Sequence, residues 1–233
     1  MKSFLIFSAA ALILAACVAG GERVAYSSGD SSLRGSLCKP KGQGPFPAVI
    51  YNHGGLGHII GGAPDETCAA LAKAGFVGFS PIRRQTRPLF GHMDDVNAGI
   101  DYVKRLPYVA PGRLGLMGFS RGAMLAFNAA TERSDIKASV IMAVAVNRFL
   151  NIHAASSVKA PVLLLVAADD TGSRSSMGNN TVEGTKRLAG VLKEAGKDSR
   201  LIVYPPYGGD GHQMFGTIGS YWPDVVGFFR RNL

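Results

Sequence analysis

Short apolar runs bounded by turn residues alternate with longer stretches in which apolar positions recur every three or four residues. Val24 to Ser27 and Leu33 to Lys39 flank the turn-rich Ser28-Gly29-Asp30-Ser31 and read as an antiparallel hairpin. Pro45-Phe46-Pro47 then introduces a buried strand, Ala48 to Asn52. The strands that follow are Phe76 to Ser80, Leu114 to Phe119, Ala138 to Val146, Pro161 to Val166 and Leu201 to Tyr204. Helical periods separate them. One starts near Asp65 with Cys68, Leu71 and Ala72 on one face, and Gly75 ends it. The next opens at Asp94, buries Val96, Ile100 and Val103, and stops before Pro107. Residues 121 to 132 form a third, and a fourth from about Thr181 carries Leu188, Val191, Leu192 and Ala195. The last, after Ser220, buries Trp222, Val225, Val226 and Phe229 and ends on Arg230 and Arg231, which complement its dipole. Strands alternating with helices predict an α/β fold: a mostly parallel central sheet with helices on both faces, an N-terminal antiparallel hairpin and no large cap domain.

Before the hairpin the pattern changes. Lys2 precedes an apolar run from Phe4 to Ala16, and small residues lead on to Gly20 and Gly21. This is the pattern of a signal peptide over residues 1–19, too short for a comfortable membrane span. Two processing sites compete. Leu14-Ala15-Ala16-Cys17 resembles the bacterial lipobox, which would attach the chain to a membrane through a lipidated Cys17, while Cys17-Val18-Ala19 fits ordinary cleavage. Either route predicts an exported protein, as a periplasmic or cell-envelope lipoprotein or in secreted form, with residues 20–233 as one domain. Outside the cytoplasm Cys38 and Cys68 either pair or remain as two buried thiols.

Composition narrows the classes. Of 233 residues, 47% are hydrophobic and 18% charged, which is ordinary for a globular chain. The net charge of +9 suits anionic surfaces such as lipid headgroups or cell-wall polymers. The basic residues are scattered, with no run or aromatic-interleaved patch, so nucleic-acid binding is not expected.

Gly118-Phe119-Ser120-Arg121-Gly122 matches G-x-S-x-G where a strand hands over to a helix. Such a turn lifts the serine hydroxyl above the sheet, and side chains at 118 or 122 would collide with neighbouring backbone. The following helix aims its first N–H groups at the oxygen that becomes negative in acyl transfer. At this motif the chain resembles the α/β-hydrolase superfamily, and Tyr108 to Ser120 is similar to its dienelactone hydrolase and esterase branch. The resemblance covers roughly residues 25 to 233 and implies a serine hydrolase that cleaves esters through an acyl-enzyme. His53-Gly54-Gly55 after the strand Ala48 to Asn52 is similar to the family's HGG segment. The resemblance implies an oxyanion hole built from the backbone N–H groups of Arg121 and of Gly55, or of Leu56 if the loop is registered one later.

A serine hydroxyl needs an imidazole to take its proton and a carboxylate to hold that imidazole, in the chain order Ser, acid, His. After Ser120 the histidines are His153 and His212. His212 follows the last strand in a glycine-rich loop, where the family carries its catalytic histidine, while His153 reads as a surface residue. Ala167-Ala168-Asp169-Asp170 resembles the family's G-x-x-D with alanine in place of the glycine. Family spacing favours Asp170; the substitution leaves Asp169 open, and Asp210 is a third candidate. His53 is positioned to brace the oxyanion loop, and His58 and His92 have no assigned role.

Dienelactone hydrolases proper have cysteine at the elbow, so Ser120 does not carry that substrate over. A small-molecule or polymer-borne ester is expected instead, in a rather open site, because residues 146 to 161 leave little room for a helical cap. Arg83, Arg84 and Arg87 follow a strand near the expected rim and read first as solvated surface arginines, secondarily as an attractor for acidic substrates. The five histidines lack paired spacing, so no metal is expected, and nothing implies a cofactor. Two rivals are a catalytically silent secreted binding protein on a hydrolase scaffold and a nucleotide-cofactor enzyme using Gly54-Gly55-Leu56-Gly57. The latter does not match G-x-G-x-x-G, and no helix follows directly. If the lipobox reading holds, radioactive palmitate labels the chain and Cys17→Ser abolishes the label; an unlabelled mature protein beginning near Gly20 would refute it.

Overall fold

A computed structural model describes residues 21–55, 59–86 and 89–233. The expected signal segment with Cys17, and the positions of Leu56, His58 and Arg87, lie outside the described residues. No helix among the described residues is long and apolar enough to cross a membrane.

Eight strands form one sheet in the order β1-β2-β4-β3-β5-β6-β7-β8. β1 (Glu22–Ser28) and β2 (Ser31–Cys38) make the antiparallel hairpin, with Ser28 paired to Ser31, and β2 runs antiparallel to β4 (Val77–Ile82). From β3 (Phe46–Asn52) onward every pairing is parallel: β3 with β4 and β5 (Val109–Phe119), then β6 (Ile136–Met142), β7 (Val162–Ala167) and β8 (Ser199–Tyr204). This is the architecture of the α/β-hydrolase fold.

Side chains of successive strand residues point to opposite faces, and both faces are covered. Ile50, Phe79, Leu114 and Leu116 pack under α2 (His92–Lys104), α3 (Arg121–Glu132) and α4 (Thr181–Glu194). Val49, Tyr51, Met117, Val140 and Leu163 pack against α1 (Pro64–Lys73) and α5 (Trp222–Asn232). That is why these strands read as unbroken apolar runs.

Three strand limits and the buried face of α5 differ from the sequence reading. β5 begins at Val109, because Val109 pairs with Phe46 and a register shift absorbs Pro111 and Gly112 before Leu114 pairs with Ala48. β4 runs on to Ile82, since Ile82 still pairs with Arg34 of the hairpin. β6 stops at Met142 rather than Val146. Ala143 turns to φ +46°, and Ala145 N–H donates to Ser120 O at 3.1 Å, so the apolar end of that run is buried as a loop around Ser120. In α5, Val225, Phe228 and Phe229 are buried, while Trp222 and Val226 are only half-buried. Of the two fates open to Cys38 and Cys68, the pair is bonded, joining the end of β2 to α1.

The hairpin is fastened to the domain by an aromatic cluster. The Phe79 ring lies 5.5 Å from that of Tyr26 on β1 and 5.3 Å from that of Tyr102 on α2. Removing this fully buried ring leaves a cavity that three elements must collapse to fill. Phe79→Ala is expected to destabilise the fold by about 3–5 kcal/mol in urea titration, and a change under about 1 kcal/mol would contradict that packing account.

Candidate active site

The chain steps from β3 to β4 on one side, then returns to place β5 on the other side of β3. The loops after β3 and β5 therefore diverge at a topological switch point and leave a crevice at the carboxyl ends of the strands, the usual place for a ligand in an open α/β sheet. Ser120 follows β5 at this point and stands at the start of α3.

Its backbone is held at φ 54° and ψ −117°, a conformation that costs a non-glycine residue about 1–3 kcal/mol and persists only where packing imposes it. The packing is explicit. A Cβ on Gly118 would lie 2.3 Å from Gly122 O, and one on Gly122 would lie 2.0 Å from Asn52 O and 2.4 Å from His53 O. Both glycines let α3 press onto the ends of β5 and β3, and Ser120 is the corner between them. Ser120 N–H donates to Met142 O at 2.9 Å, which pins the corner to β6.

His212 lies in a 3-10 turn, Gly211–Gly216, after β8, and Asp170 follows β7. The ring Nε2 of His212 is 3.0 Å from Ser120 Oγ, and Nδ1 is 2.7 Å from Asp170 Oδ2. A carboxylate can only accept, so it keeps the ring proton on Nδ1 and leaves the Nε2 lone pair facing the hydroxyl. The ring is also packed against Phe119, with centroids 4.6 Å apart. Asp170 is fully buried; its Oδ2 also accepts from the Thr181 hydroxyl, and its carbonyl accepts from the N–H groups of Thr181 and Val182 at 3.0 and 3.2 Å.

The neighbouring carboxylates do other things. Asp169 accepts from Tyr207 N–H at 2.8 Å and from Gly209 N–H at 2.9 Å, which ties the loop carrying His212 to the end of β7. Asp210 accepts from the hydroxyls of Ser173 and Ser175 and from the Gln213 amide, and makes no contact with the imidazole. His153 is exposed.

On the other side of Ser120 lies the loop after β3. Gly54 and Gly61 exchange backbone hydrogen bonds at 2.9 and 3.1 Å, closing the loop, and a Cβ on Gly54 would come within 3.2 Å of Ser120 Cβ. Gly55 has φ +82° and lines the same cleft as Ser120, Arg121 and His212. The sequence-predicted residues Gly55, Arg121, Ser120, His212 and Asp170 are thus gathered at one place. His53 accepts from Arg83 N–H at Nε2, 3.4 Å, and donates from Nδ1 to Gly54 O at 2.6 Å. Burial and the nearby Arg83 charge push its pKa down to about 3, so the ring holds this loop as a neutral bridge.

Arg83 and Arg84 depart from the expectation of solvated surface residues. Arg83 is 5% exposed, against His53, and burial with the neighbouring Arg121 charge lowers its pKa to about 10. Arg84 reaches back to Asp95 at 2.6 Å and to Ser28 Oγ at 2.9 Å. The His92 ring holds the Arg84 carbonyl through a contact of 3.0 Å from Nε2.

The cleft has a volume of about 550 Å³. One wall was not foreseen: Arg174, Ser175, Met177 and Asn179, from the loop between β7 and α4, face Ser120 across it. The sequence shows only a run of short polar residues there; the carboxylate that anchors it, Asp210, comes from a distant segment. Among the described residues no three His, Cys, Asp or Glu side chains converge as a metal-binding group.

A strained serine at a glycine-flanked strand-to-helix corner, on a parallel sheet of this topology, defines a hydrolase of the α/β-hydrolase class. Residues 85–212 match the sequence pattern of the dienelactone hydrolase family, and the chain belongs to that family. It is 25% identical over 168 residues to Protein usf of Aquifex pyrophilus, covering 64% of this chain and 72% of that protein. Among solved structures, the acylaminoacyl peptidase of Pyrococcus horikoshii superposes with a TM-score of 0.72 at 18% identity over 92% of this chain, which spans only 41% of the peptidase. An esterase of Pyrobaculum calidifontis superposes with a TM-score of 0.65 at 18% identity, covering 90% and 80% of the two chains. These likenesses bear on the fold.

The corner yields its own prediction. Gly122→Ala drives a methyl group into the carbonyls of Asn52 and His53, so a loss of about 3 kcal/mol or more is expected in denaturant titration. An unchanged midpoint would mean that α3 does not press on β3 as described.

Proposed function

We propose that the protein is a serine esterase that works through an acyl-enzyme intermediate, with Ser120, His212 and Asp170 as its triad. The observation that carries this reading is the continuous line from Asp170 Oδ2 through the His212 ring to Ser120 Oγ, with contacts of 2.7 and 3.0 Å.

Ser120 Oγ attacks the ester carbonyl as His212 Nε2 takes its proton, and Asp170 stabilises the imidazolium that forms. The carbonyl oxygen becomes an oxyanion between the N–H groups of Gly55 and Arg121, the second lying at the N-terminus of α3; one such donor contributes about 3 kcal/mol in comparable sites. His212 then returns the proton to the leaving alkoxide. Water, deprotonated in turn by His212, releases the acid and restores Ser120. An ester asks least of this array, because an amine leaving group must be protonated before it departs.

The wall loop and the absence of a helical cap among the described residues suit a small-molecule or polymer-borne ester that enters from outside. Export, with or without lipid on Cys17, belongs to the same reading and is supported by the Cys38–Cys68 bond, since such bonds persist in oxidising compartments.

A fluorophosphonate probe is expected to label the wild-type chain and not Ser120→Ala. An unlabelled wild type would favour the silent binding protein instead. On p-nitrophenyl esters Asp170→Asn should lose about 10⁴-fold in kcat, as a misheld imidazole does elsewhere. Asp169→Asn, which loosens only the histidine loop, should lose far less. Equal losses would put the carboxylate assignment in doubt, and faster turnover of acyl-amino-acid anilides than of esters would move the substrate class to peptides.

A further inference from the structure

Seven large hydrophobic side chains are exposed among the described residues, and they are not spread evenly. Ile59, Ile60, Phe90, Phe149, Met177 and Tyr207 all sit on loops that leave the carboxyl ends of β3, β4, β6, β7 and β8; the seventh, Val203, is on the edge strand β8. Phe90 is 76% exposed, Met177 64% and Ile59 62%. Because β3 to β8 are parallel, these loops share one edge of the sheet; Ile59 and Met177 line the cleft holding Ser120, and Phe90 and Phe149 line a second, apolar groove. Single exposed apolar residues are unremarkable; their concentration along one edge of the sheet is not.

Cations accompany them. The Arg148 guanidinium lies 4.9 Å from the Phe149 ring, Arg174 is exposed on the wall loop, and Arg121 stands half-buried at the cleft. None of the three is within 4 Å of a carboxylate among the described residues. Two carboxylates on the same loops keep their charge, Asp169 held by backbone N–H groups and Asp210 by Ser173, Ser175 and Gln213, neither of them close to these arginines.

We propose that this face docks on an anionic lipid surface, its projecting apolar side chains entering the headgroup region and its arginines lying among the anionic headgroups. Phe90 and Phe149 share an apolar groove with Leu89, Met93, Met124 and Leu125, while Ile59, Ile60, Met177 and Tyr207 project from other loops, and a fluid interface accepts such insertions without matching their shape. A cation near such a surface strengthens attachment by about fivefold. Docked this way, the chain turns its cleft toward the membrane. The proposal goes beyond the esterase reading, and lipid binding does not require Ser120.

The test uses the full chain and vesicles of phosphatidylcholine with or without an equal share of phosphatidylglycerol. Residues 1–20 are apolar enough to attach by themselves, so depth is read as well as binding. Trp222 is the only tryptophan, and in a Trp222→Phe background Phe90→Trp and Phe149→Trp report from the proposed face. Both are expected to shift to the blue and to be quenched by brominated lipid when phosphatidylglycerol is present. Phe90→Ser with Phe149→Ser, and separately Arg148→Gln with Arg174→Gln, should each lower partitioning about tenfold or more, with unfolding midpoints kept. Water-like, unquenched emission at both positions in vesicle-bound protein would overturn the proposal. So would equal binding to vesicles with and without phosphatidylglycerol. Ser120→Ala should bind like wild type, so failure of the probe labelling and failure of lipid docking are separately visible.

Discussion

The geometry around Ser120 depends on one steric constraint: α3 starts so close to the end of β3 that no side chain fits between them. Gly122 faces the carbonyls of Asn52 and His53, and Gly118 faces Gly122. With those contacts made, the residue between β5 and α3 has no unstrained conformation left, and Ser120 takes up positive φ. The strain is offset by the packing of α3 along its whole buried length, so the hydroxyl is set by the core of the domain rather than by a flexible loop.

The same approach places two chemically different groups on either side of that hydroxyl. The N-terminus of α3, where negative charge is favoured, lies on one side, and Gly55 of the loop after β3 lines the same cleft. His212 comes from the other side on a loop that would wander if Asp169 did not receive its Tyr207 and Gly209 N–H groups. Three aspartates close in sequence or space are thus divided among three tasks. Asp170 faces the imidazole, Asp169 holds the imidazole's loop, and Asp210 holds the opposite wall. Beneath the loop after β3, the neutral His53 joins β3 to the start of the Arg83 loop, which would be a poor arrangement if the ring carried charge beside a buried guanidinium.

Much of the fold was legible because parallel strands buried on both faces are written as apolar runs, and the helices between them as a three-to-four period. The limits of α3 and the start of α4 coincide with the sequence reading. The overextended strand at Ala138 to Val146 shows where such reading fails: burial makes Ala143 to Ala145 look like strand, and only the wrapping of that segment around Ser120 turns it into a loop. Arg83 and Arg84 fail for the opposite reason. Charge predicts exposure unless a partner is known, and Asp95, Ser28 and His53 come from other parts of the chain.

By itself, then, the sequence determined the class of fold, the position of the corner at Ser120 and the few residues able to serve it, because these rest on local rules: strand period, helix period and the absence of side chains at 118 and 122. Tertiary structure alone decided which of Asp169 and Asp170 meets His212, whether Cys38 and Cys68 join, what forms the second wall of the cleft and which arginines are buried. Each of those depends on the meeting of segments tens of residues apart, and chain separation carries no information about distance once the sheet has brought its strand ends together.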